Sequence, residues 1–220
     1  MLRFKEFLSE AKVVSFENKK YGNLVVMLGT PGSGKSYIAK NYIDIYNEIY
    51  INVDKERELF AKVHGIDITI PENLEKVRKE LGGTTDKKNR TIRKLFNILS
   101  GRSSFLENIL LDSGGQEPEF ISDVIKLANE KGYKTTLVYV YTTLDTSIKR
   151  NLTRKDRSVT IKQIEEYYEK CKKSFELTKD LYDNVWKVYN EKEDYRFLKG
   201  MISDKPYKWE RDIEKVVKIK

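Results

Sequence analysis

The chain has 220 residues, of which 39% are hydrophobic and 35% are charged, and its formal net charge is +8. This length suits one domain with a buried core, and no run approaches the roughly 20 apolar residues of a membrane span. One cysteine, Cys171, and one histidine, His64, exclude an internal disulfide and a zinc site formed by the protein, and we expect no disulfide-linked partner. The positive charge favours a polyanionic partner, nucleic acid or nucleotide, although a lysine-rich composition also arises from genome bias.

Residues 1–20 are predicted to form a short amphipathic helix, with Phe4, Phe7 and Leu8 on one face, followed by a polar connector. The segment has no apolar signal core, so it is not a secretion signal and we expect a cytoplasmic protein. Its string FLSEA resembles the leader peptides of internal proteins of tailed phages, which predicts a phage gene and a location in the host-cell cytoplasm. The alternative to a leader peptide is an ordinary N-terminal helix.

The strongest motif follows a continuous apolar run, Leu24–Leu28, which is typical of a strand buried on both faces. Gly29–Ser36, with the sequence GTPGSGKS, fits the phosphate-loop pattern G-x-x-x-x-G-K-[ST] in full. Its glycines let backbone N–H groups face phosphate oxygens, Lys35 reaches the β- and γ-phosphates, and Ser36 can bind Mg²⁺. The predicted nucleotide-binding residues are Gly29, Thr30, Pro31, Gly32, Ser33, Gly34, Lys35, Ser36 and Tyr37. The motif predicts that the chain binds a nucleoside triphosphate.

A second β-rich run, Glu48–Val53, is followed at once by Asp54. At the carboxyl end of a parallel strand, this carboxylate can accept the proton of an acceptor hydroxyl that attacks the γ-phosphate. Arg57, three residues on, shares its helical face and can hold an anionic part of the acceptor. The alternative is a helix-capping aspartate followed by a solvated arginine, which the spacing alone favours.

Two helices, predicted over Pro71–Leu81 and Thr91–Leu99, form an insertion between the second and third strands. Basic residues concentrate between these helices and at the start of the second one, and we expect them to help select the acceptor. The predicted substrate-binding residues of the insertion are Lys87, Lys88 and Arg90.

A third strand is predicted over Asn108–Leu111, and Asp112 is predicted to terminate it. A carboxylate in this place supports Mg²⁺ or contacts the acceptor, whereas the alternative is a turn or helix-capping residue. Position 113 is a serine, where ATPases that drive mechanical work carry a water-activating glutamate. Transfer to a bound acceptor is therefore favoured over hydrolysis.

Two further strands are predicted over Thr136–Tyr141 and Asn184–Tyr189. Between them, Arg150, Arg154 and Arg157 are spaced by four and three residues, so on one helix they share a face. Closing over ATP, these arginines can neutralise the charge that develops on the transferred phosphoryl group. The alternative is a solvated basic face paired with nearby acids.

Strands that alternate with helices predict a three-layer α/β fold of the P-loop NTPase type. The sheet is predicted to have five mostly parallel strands, with a helical insertion between strands 2 and 3 and an arginine-rich lid. Helical periodicity places Cys171 in the core rather than at a reactive site. The predicted division is an N-terminal segment 1–20, a kinase-like core 21–190, and a charged extension 191–220 that ends in a helix carrying Trp209, Ile213 and Val216.

Together these motifs resemble the P-loop kinases of the polynucleotide 5′-hydroxyl kinase and zeta-toxin branch, over roughly residues 23–190. GTPGSGKS resembles the ATP phosphate loop of that family, INVDKER the stretch with the catalytic base, LLDSGG the strand-three aspartate motif, and IKRNLTRKDR the lid. The resemblance implies the following roles: Asp54 as the base, Arg57 as a contact to the acceptor's phosphate, Asp112 near the acceptor or Mg²⁺, and Arg150 and Arg154 as phosphate clamps. The lid lacks the Gly-rich turn that is usual in polynucleotide kinases, and residues 84–93 have no counterpart.

These features predict an ATP- and Mg²⁺-dependent phosphotransferase whose acceptor is a hydroxyl on nucleic acid, either a 5′-hydroxyl end or a hydroxymethylated base. A kinase of nucleotide-sugars, like the zeta toxins, is one alternative, and a non-catalytic ATP-binding protein associated with DNA is another. A GTPase-like switch is a third, because residues 112–116 fit D-x-x-G followed by Gln, but the chain lacks the N-K-x-D motif that reads guanine.

Overall fold

The computed structural model describes residues 14–15, 21–45, 47–82, 86, 89–101, 105–154, 159–191, 198–200, 207–209 and 215–220. In chain order its strands are β1 (Val14–Ser15), β2 (Asn23–Leu28), β3 (Ile43–Asp44), β4 (Glu48–Ile51), β5 (Asn108–Gly114), β6 (Lys134–Tyr141), β7 (Asn184–Tyr189), β8 (Leu198–Gly200), β9 (Tyr207–Trp209) and β10 (Lys215–Lys218). Its α-helices are α1 (Lys35–Tyr42), α2 (Val53–Val63), α3 (Pro71–Leu81), α4 (Arg90–Ser100), α5 (Pro118–Glu130), α6 (Leu144–Leu152) and α7 (Ile161–Thr178), and a 3₁₀ turn covers Lys179–Leu181.

The main sheet of the described chain has six strands in the order β10-β7-β6-β2-β5-β4. The five strands expected from the sequence, β2, β4, β5, β6 and β7, all pair in parallel, which confirms the predicted parallel sheet. The phosphate-loop strand β2 lies between β5 and β6. The loop after β2 therefore has the carboxyl ends of two strands beside it, which is where open parallel sheets bind their ligands.

Helices cover both faces of this sheet. On one face α4, α5 and α7 bury Leu95, Val124 and Phe175 in a common cluster with β2, β5 and β6. On the other face α1 buries Ile38 and Tyr42 against the same strands. Because both faces are covered, β2 is buried along its whole length, as its continuous apolar run predicts. The predicted three-layer α/β fold is confirmed.

A third apolar cluster lies away from the sheet and joins α2 and α3 to the start of α7. Its buried members include Ala61 of α2, Val77 of α3, and Val159 and Ile164 at the start of α7. The cluster holds the helical insertion against the segment before α7. It therefore closes one side of the cavity beside the phosphate loop, which Leu74 and Val159 line.

The C-terminal segment departs from the prediction of a helix carrying Trp209, Ile213 and Val216. Trp209 belongs to β9, and Val216 belongs to β10, which pairs antiparallel with β7 and adds the sixth strand of the main sheet. The helix prediction is therefore wrong at these two residues, and Ile213 lies outside the described residues. Adjacent β-branched residues suit a strand, and the free edge of β7 decides the conformation.

The helix predicted over residues 1–20 falls outside the described residues, except that Val14–Ser15 forms β1, parallel to β3. The division of the chain after residues 20 and 190 stays a prediction. Within the described part of the chain, no helix combines the length and the apolar character needed to cross a membrane.

Candidate active site

The phosphate loop joins β2 to α1 at the carboxyl edge of the sheet. Gly32 and Gly34 have φ angles of 85° and 87°, in the left-handed region that favours glycine. A Cβ atom at Gly32 would lie 2.5 Å from the carbonyl oxygen of Ser147, and one at Gly34 would overlap Asn190 Nδ2. Both positions therefore require glycine, for backbone conformation and for space. Gly34 also begins α1 without a side-chain cap, which leaves the first N–H groups of this helix for an anion.

Hydrogen bonds hold the loop against α6 and against the residues that directly follow β6 and β7. Thr30 Oγ1 and Thr142 Oγ1 lie 2.9 and 2.7 Å from the hydroxyl oxygen of Ser147. Asn190 Nδ2 donates to the carbonyl oxygen of Ser33 at 2.7 Å. These contacts fix the loop in one conformation before any ligand binds, so binding does not have to order it.

Lys35 is held at the loop, where its ammonium group donates to the carbonyl oxygens of Gly29 at 2.7 Å and Thr30 at 3.1 Å. Of the nine predicted nucleotide-binding residues, those that line the adjoining cavity are Pro31, Gly32, Gly34, Lys35, Ser36 and Tyr37. The other three, Gly29, Thr30 and Ser33, are buried and support the loop. Their roles in binding ATP stay predictions.

Ser36 and Asp112 lie together although 76 positions separate them, and Ser36 Oγ donates to Asp112 Oδ2 at 2.7 Å. Asp112 lies inside β5, which continues to Gly114. The prediction that Asp112 ends its strand is therefore wrong, as is the alternative of a turn or capping residue. Pairing with β2 continues past Asp112, with a shift of register, to Leu28 and Gly114. The hydroxyl and the carboxylate fit Mg²⁺, which binds oxygen ligands and often uses one or two carboxylates beside substrate phosphates.

Two side chains that the sequence-based predictions missed also contact this carboxylate. The Tyr50 hydroxyl donates to Asp112 Oδ2 at 2.8 Å, and Asn52 Nδ2 donates to the same oxygen at 3.0 Å and to the Tyr50 hydroxyl at 2.8 Å. Burial, and next the Asp112 charge, raise the pKa of Tyr50 above its ordinary value, so its hydroxyl remains a donor at neutral pH. Tyr50 lies outside the motifs of the sequence, and Asn52 lies within INVDKER without a role assigned to it. Only the pairing of β4 with β5 reveals their place.

Asp54 and Arg57 lie in the first turns of α2 and form an ion pair, with Arg57 Nη1 3.0 Å from Asp54 Oδ1. Arg57 Nη2 also donates to the carbonyl oxygen of Gly82 at 3.4 Å. Arg57 is only 3% exposed, and the side chain that caps α2 is Asn52. The alternative of a capping aspartate followed by a solvated arginine is therefore wrong.

A cavity of about 390 Å³ brings the predicted site residues together; we call it the catalytic cavity. Among the described residues, the cationic side chains that line it are Lys35, Arg57, Arg78, Arg150 and Arg154, and the acidic ones are Asp54, Asp112 and Glu117. Arg78 of α3 and Tyr167 of α7 were not predicted. The excess of positive charge suits a ligand with several phosphates.

Arg150 and Arg154 both line the catalytic cavity, but they do not share a helix face as the spacing predicts. Helix α6 ends two residues before Arg154, whose N–H donates to the carbonyl oxygen of Asn151 at 3.2 Å in a turn. Asn151 Nδ2 in turn donates to the carbonyl oxygen of Val159 at 2.8 Å, which draws the chain back toward α7 and ends the helix. Arg157 lies outside the described residues.

A second cavity of about 950 Å³ lies between α2, α4 and the end of β4. We call it the basic groove, after the cationic residues that line it: Lys55, Arg90, Arg93 and Lys94. Arg90 therefore lies outside the catalytic cavity, while Lys87 and Lys88 fall outside the described residues. Tyr50 and Asn52 also line the groove, so their hydrogen bonds to Asp112 form the partition between the two cavities.

Cys171 lies in the core on α7, where it is 1% exposed. Burial raises the pKa of its thiol to about 12, so the group stays protonated at neutral pH. The prediction of a core cysteine is confirmed.

Comparisons with known proteins identify a family and similar folds. A family model described as Zeta toxin matches residues 9–201. A chain of the PezAT chromosomal toxin–antitoxin system of Streptococcus pneumoniae is 14% identical with a TM-score of 0.53, and the match covers 86% of this chain and 74% of that chain. A structure of AvrRxo1-ORF1:-ORF2 with ATP is 14% identical with a TM-score of 0.49, covering 77% and 55% of the two chains. No curated protein matches.

The family match spans every predicted motif from the phosphate loop to the arginines. It supports the zeta-toxin side of the resemblance, whereas the polynucleotide-kinase branch and a phage origin stay predictions. It also favours a kinase over the GTPase-like switch and the non-catalytic ATP-binding protein. The chain belongs to the zeta toxin family and is a P-loop kinase that uses ATP for phosphoryl transfer.

Proposed function

We propose that the chain transfers the γ-phosphoryl group of ATP to a hydroxyl of a phosphate-bearing acceptor, with Asp54 as the general base. The observation that carries this proposal is the Asp54–Arg57 ion pair, which lines the same cavity as Lys35 and Ser36. An acceptor phosphate held by Arg57 would bring a neighbouring hydroxyl within reach of Asp54. An arginine beside the proposed base suits an acceptor that is itself an anion.

In the proposed step, Asp54 accepts the proton of the acceptor hydroxyl while the hydroxyl oxygen attacks the γ-phosphorus. The new oxygen–phosphorus bond forms as the bond between the γ-phosphorus and the β–γ bridging oxygen breaks, and ADP leaves with that electron pair. Lys35, Arg150 and Arg154 stabilise the charge on the transferred group. Mg²⁺, when held beside Ser36 and Asp112, would neutralise oxygens of the β- and γ-phosphates.

For the acceptor we infer nucleic acid, either a 5′-hydroxyl end or a hydroxymethylated base. The basic groove supports this inference. Arg90, Arg93 and Lys94 are exposed there, and they form no ion pair with any residue of the described ranges. Phe105 packs against Tyr21 with 4.8 Å between the ring centroids and is still 54% exposed at the groove, so a base can stack on its exposed part. A nucleic-acid strand in the groove would reach the edge of the partition formed by Tyr50 and Asn52, and Asp54 lies in the cavity beyond it.

A nucleotide-sugar is the second candidate acceptor, and the family match favours it. Its diphosphate fits the same chemistry, because Arg57 and Arg78 both line the catalytic cavity. The two acceptors share a phosphate near a hydroxyl and differ in the need for the basic groove. A nucleotide-sugar of ordinary size does not require a second cavity of about 950 Å³.

Transfer from γ-labelled ATP to a panel of acceptors tests the proposal. The panel contains 5′-hydroxyl oligonucleotides, hydroxymethyl-base DNA, nucleosides and UDP-sugars. Label on a UDP-sugar and on no nucleic acid would overturn the nucleic-acid inference and leave the kinase proposal intact. Lys35→Ala is expected to abolish transfer to every acceptor, because the β- and γ-phosphates lose their ammonium contact.

Asp54→Asn tests the base. We expect turnover to fall about 10²- to 10⁴-fold while ATP affinity changes little, because the carboxylate acts only once the acceptor is bound. Asp123→Asn, an exposed aspartate of α5 that lines neither cavity, is the matched control and should behave like the parent. A parental turnover in Asp54→Asn refutes the assignment of the base.

A further inference from the structure

Asn52 occupies the one position between β4 and α2, and its side-chain amide bonds in two directions. Toward α2, Asn52 Oδ1 accepts hydrogen bonds from the backbone N–H groups of Asp54 at 2.9 Å and Lys55 at 3.2 Å. Toward the sheet, Asn52 Nδ2 donates to Asp112 Oδ2 at 3.0 Å and to the Tyr50 hydroxyl at 2.8 Å. The residue is 8% exposed, so these bonds are largely shielded from water.

These four bonds connect the two halves of the catalytic cavity. One half contains Asp54, whose backbone N–H is held by the Asn52 oxygen. The other half contains Asp112, which also accepts from Ser36 at 2.7 Å. An aspartate can cap α2 but has no donor for Asp112, and a serine has a single hydroxyl on a shorter side chain in place of the separate oxygen and N–H group of the amide.

We propose that Asn52 is a positioning residue that sets the place of Asp54 relative to the Ser36–Asp112 pair. Tyr50 supports Asn52 from the side of the basic groove. The proposal rests on the proposed function in one respect, because it takes Asp54 as the base. Asn52 lies within INVDKER, but the resemblance gives a role there only to Asp54 and Arg57. The proposed role of Asn52 concerns the geometry of the acceptor hydroxyl rather than ATP binding.

The chain contains a natural control for helix capping alone. Asn89 caps α4, which has 11 residues as α2 has, and its Oδ1 accepts from the N–H groups of Thr91 at 3.0 Å and Ile92 at 3.2 Å. Asn89 Nδ2 donates to the carbonyl oxygen of Leu81 at 3.3 Å, and among the described residues no hydrogen bond links the Asn89 side chain to a residue that lines the catalytic cavity. Asn89 therefore reproduces the cap of Asn52 without its link to Asp112.

The test compares Asn52→Asp and Asn52→Ser with Asn89→Asp and Asn89→Ser. All four keep a side-chain oxygen for the cap and lose a buried amide donor, so we expect the unfolding temperature, measured without ATP or Mg²⁺, to fall at both sites. The fall should be largest in Asn52→Asp, whose carboxylate would face that of Asp112, and the two serine variants are the closest match. Turnover should fall about 10- to 100-fold in the two Asn52 variants only, with little change in the KM for ATP. An equal loss of turnover in the Asn52 and Asn89 variants would show that the cap alone matters, and it would overturn the proposal.

A double-mutant cycle with Asp54→Asn separates positioning from a general structural effect. If Asn52 acts by placing Asp54, Asn52→Asp should cause little further loss of turnover in the Asp54→Asn background. The full loss persisting in that background contradicts the proposal. If Asp54→Asn keeps the turnover of the parent protein, the proposed function is overturned. If Asp54→Asn loses turnover but Asn52→Asp keeps that of the parent, only the role of Asn52 is overturned.

Discussion

Two arginines of the catalytic cavity differ in how firmly the protein holds them. Arg57 is buried, and it donates to both Asp54 and Gly82. The side chain of Arg78 is 20% exposed, and its contact with Glu75 measures 3.6 Å. A partly exposed ion pair of this length contributes little to stability, so Arg78 can exchange it for an anion at low cost. We therefore expect Arg78 to bind a phosphate of the acceptor.

Replacing Arg78 with alanine should raise the KM for the acceptor about 10- to 100-fold, since a hydrogen bond to a charged group contributes about 1.5–3 kcal/mol. The KM for ATP and the unfolding temperature should change little. Steady-state kinetics with each substrate varied in turn measures both constants. Lys79→Ala, the exposed neighbour on α3 that lines neither cavity, is the control. A raised KM for ATP with an unchanged acceptor KM would assign Arg78 to the nucleotide instead.

At the scale of a secondary-structure element, α4 combines two faces with separate purposes. Its apolar face buries Ile92, Leu95 and Leu99, which packs the helix against the sheet. Its opposite face presents Arg90, Arg93 and Lys94 to the basic groove. Because the charged face takes no part in core packing, its charges can be reversed without disturbing the fold.

The triple variant Arg90→Glu, Arg93→Glu and Lys94→Glu should bind a labelled single-stranded oligonucleotide at least about tenfold more weakly. The dependence of affinity on salt should flatten too, by about 0.7 in the log–log slope for each lost phosphate contact. Fluorescence anisotropy at several salt concentrations measures both effects.

The control variant replaces three exposed lysines outside both cavities with glutamate, which changes the net charge by the same amount. These are Lys76, Lys126 and Lys173. Equal weakening in the two triple variants would indicate a general effect of charge and would contradict a specific groove. Transfer to UDP-sugars should survive in both.

At the scale of the whole molecule, the parallel sheet gathers residues that are far apart in the chain. It brings Ser36 within 2.7 Å of Asp112 across 76 positions, and Tyr50 within 2.8 Å of Asp112 across 62. The third apolar cluster joins the helical insertion to α7 on the other side of the same cavity. A ligand that bridges these parts contacts only the folded chain, so its binding must stabilise the fold.

ATP with Mg²⁺ should therefore raise the free energy of unfolding by about 2.7 kcal/mol at a concentration 100 times its Kd. For a chain of this size that corresponds to roughly 2–4 °C in Tm for each kcal/mol. Thermal unfolding followed by circular dichroism measures the shift. Lys35→Ala should show a much smaller one, and a shift of parental size in that variant would contradict the binding site.

Local patterns in the sequence were sufficient for much of the fold and part of the site. The apolar run of β2 and the glycines after it predict a buried strand and a phosphate loop, because these depend on residue types at fixed spacing. Helix α3 runs from Pro71 to Leu81 as predicted, since proline favours its start and glycine its end. Asp54 is also predictable from a local pattern, because it directly follows a β-rich run.

The sequence by itself therefore determined the class of protein, the nucleotide loop and the candidate base. Only the tertiary structure decided how Asn52 and Tyr50 meet Asp112, that Arg78 joins the catalytic cavity, and that Arg154 leaves its helix. It also decided that the C-terminal segment forms a sixth strand rather than a helix. The physical reason is the same in each case: these features depend on strand pairing and side-chain contacts between distant segments, whereas a sequence pattern reports only on residues a few positions apart.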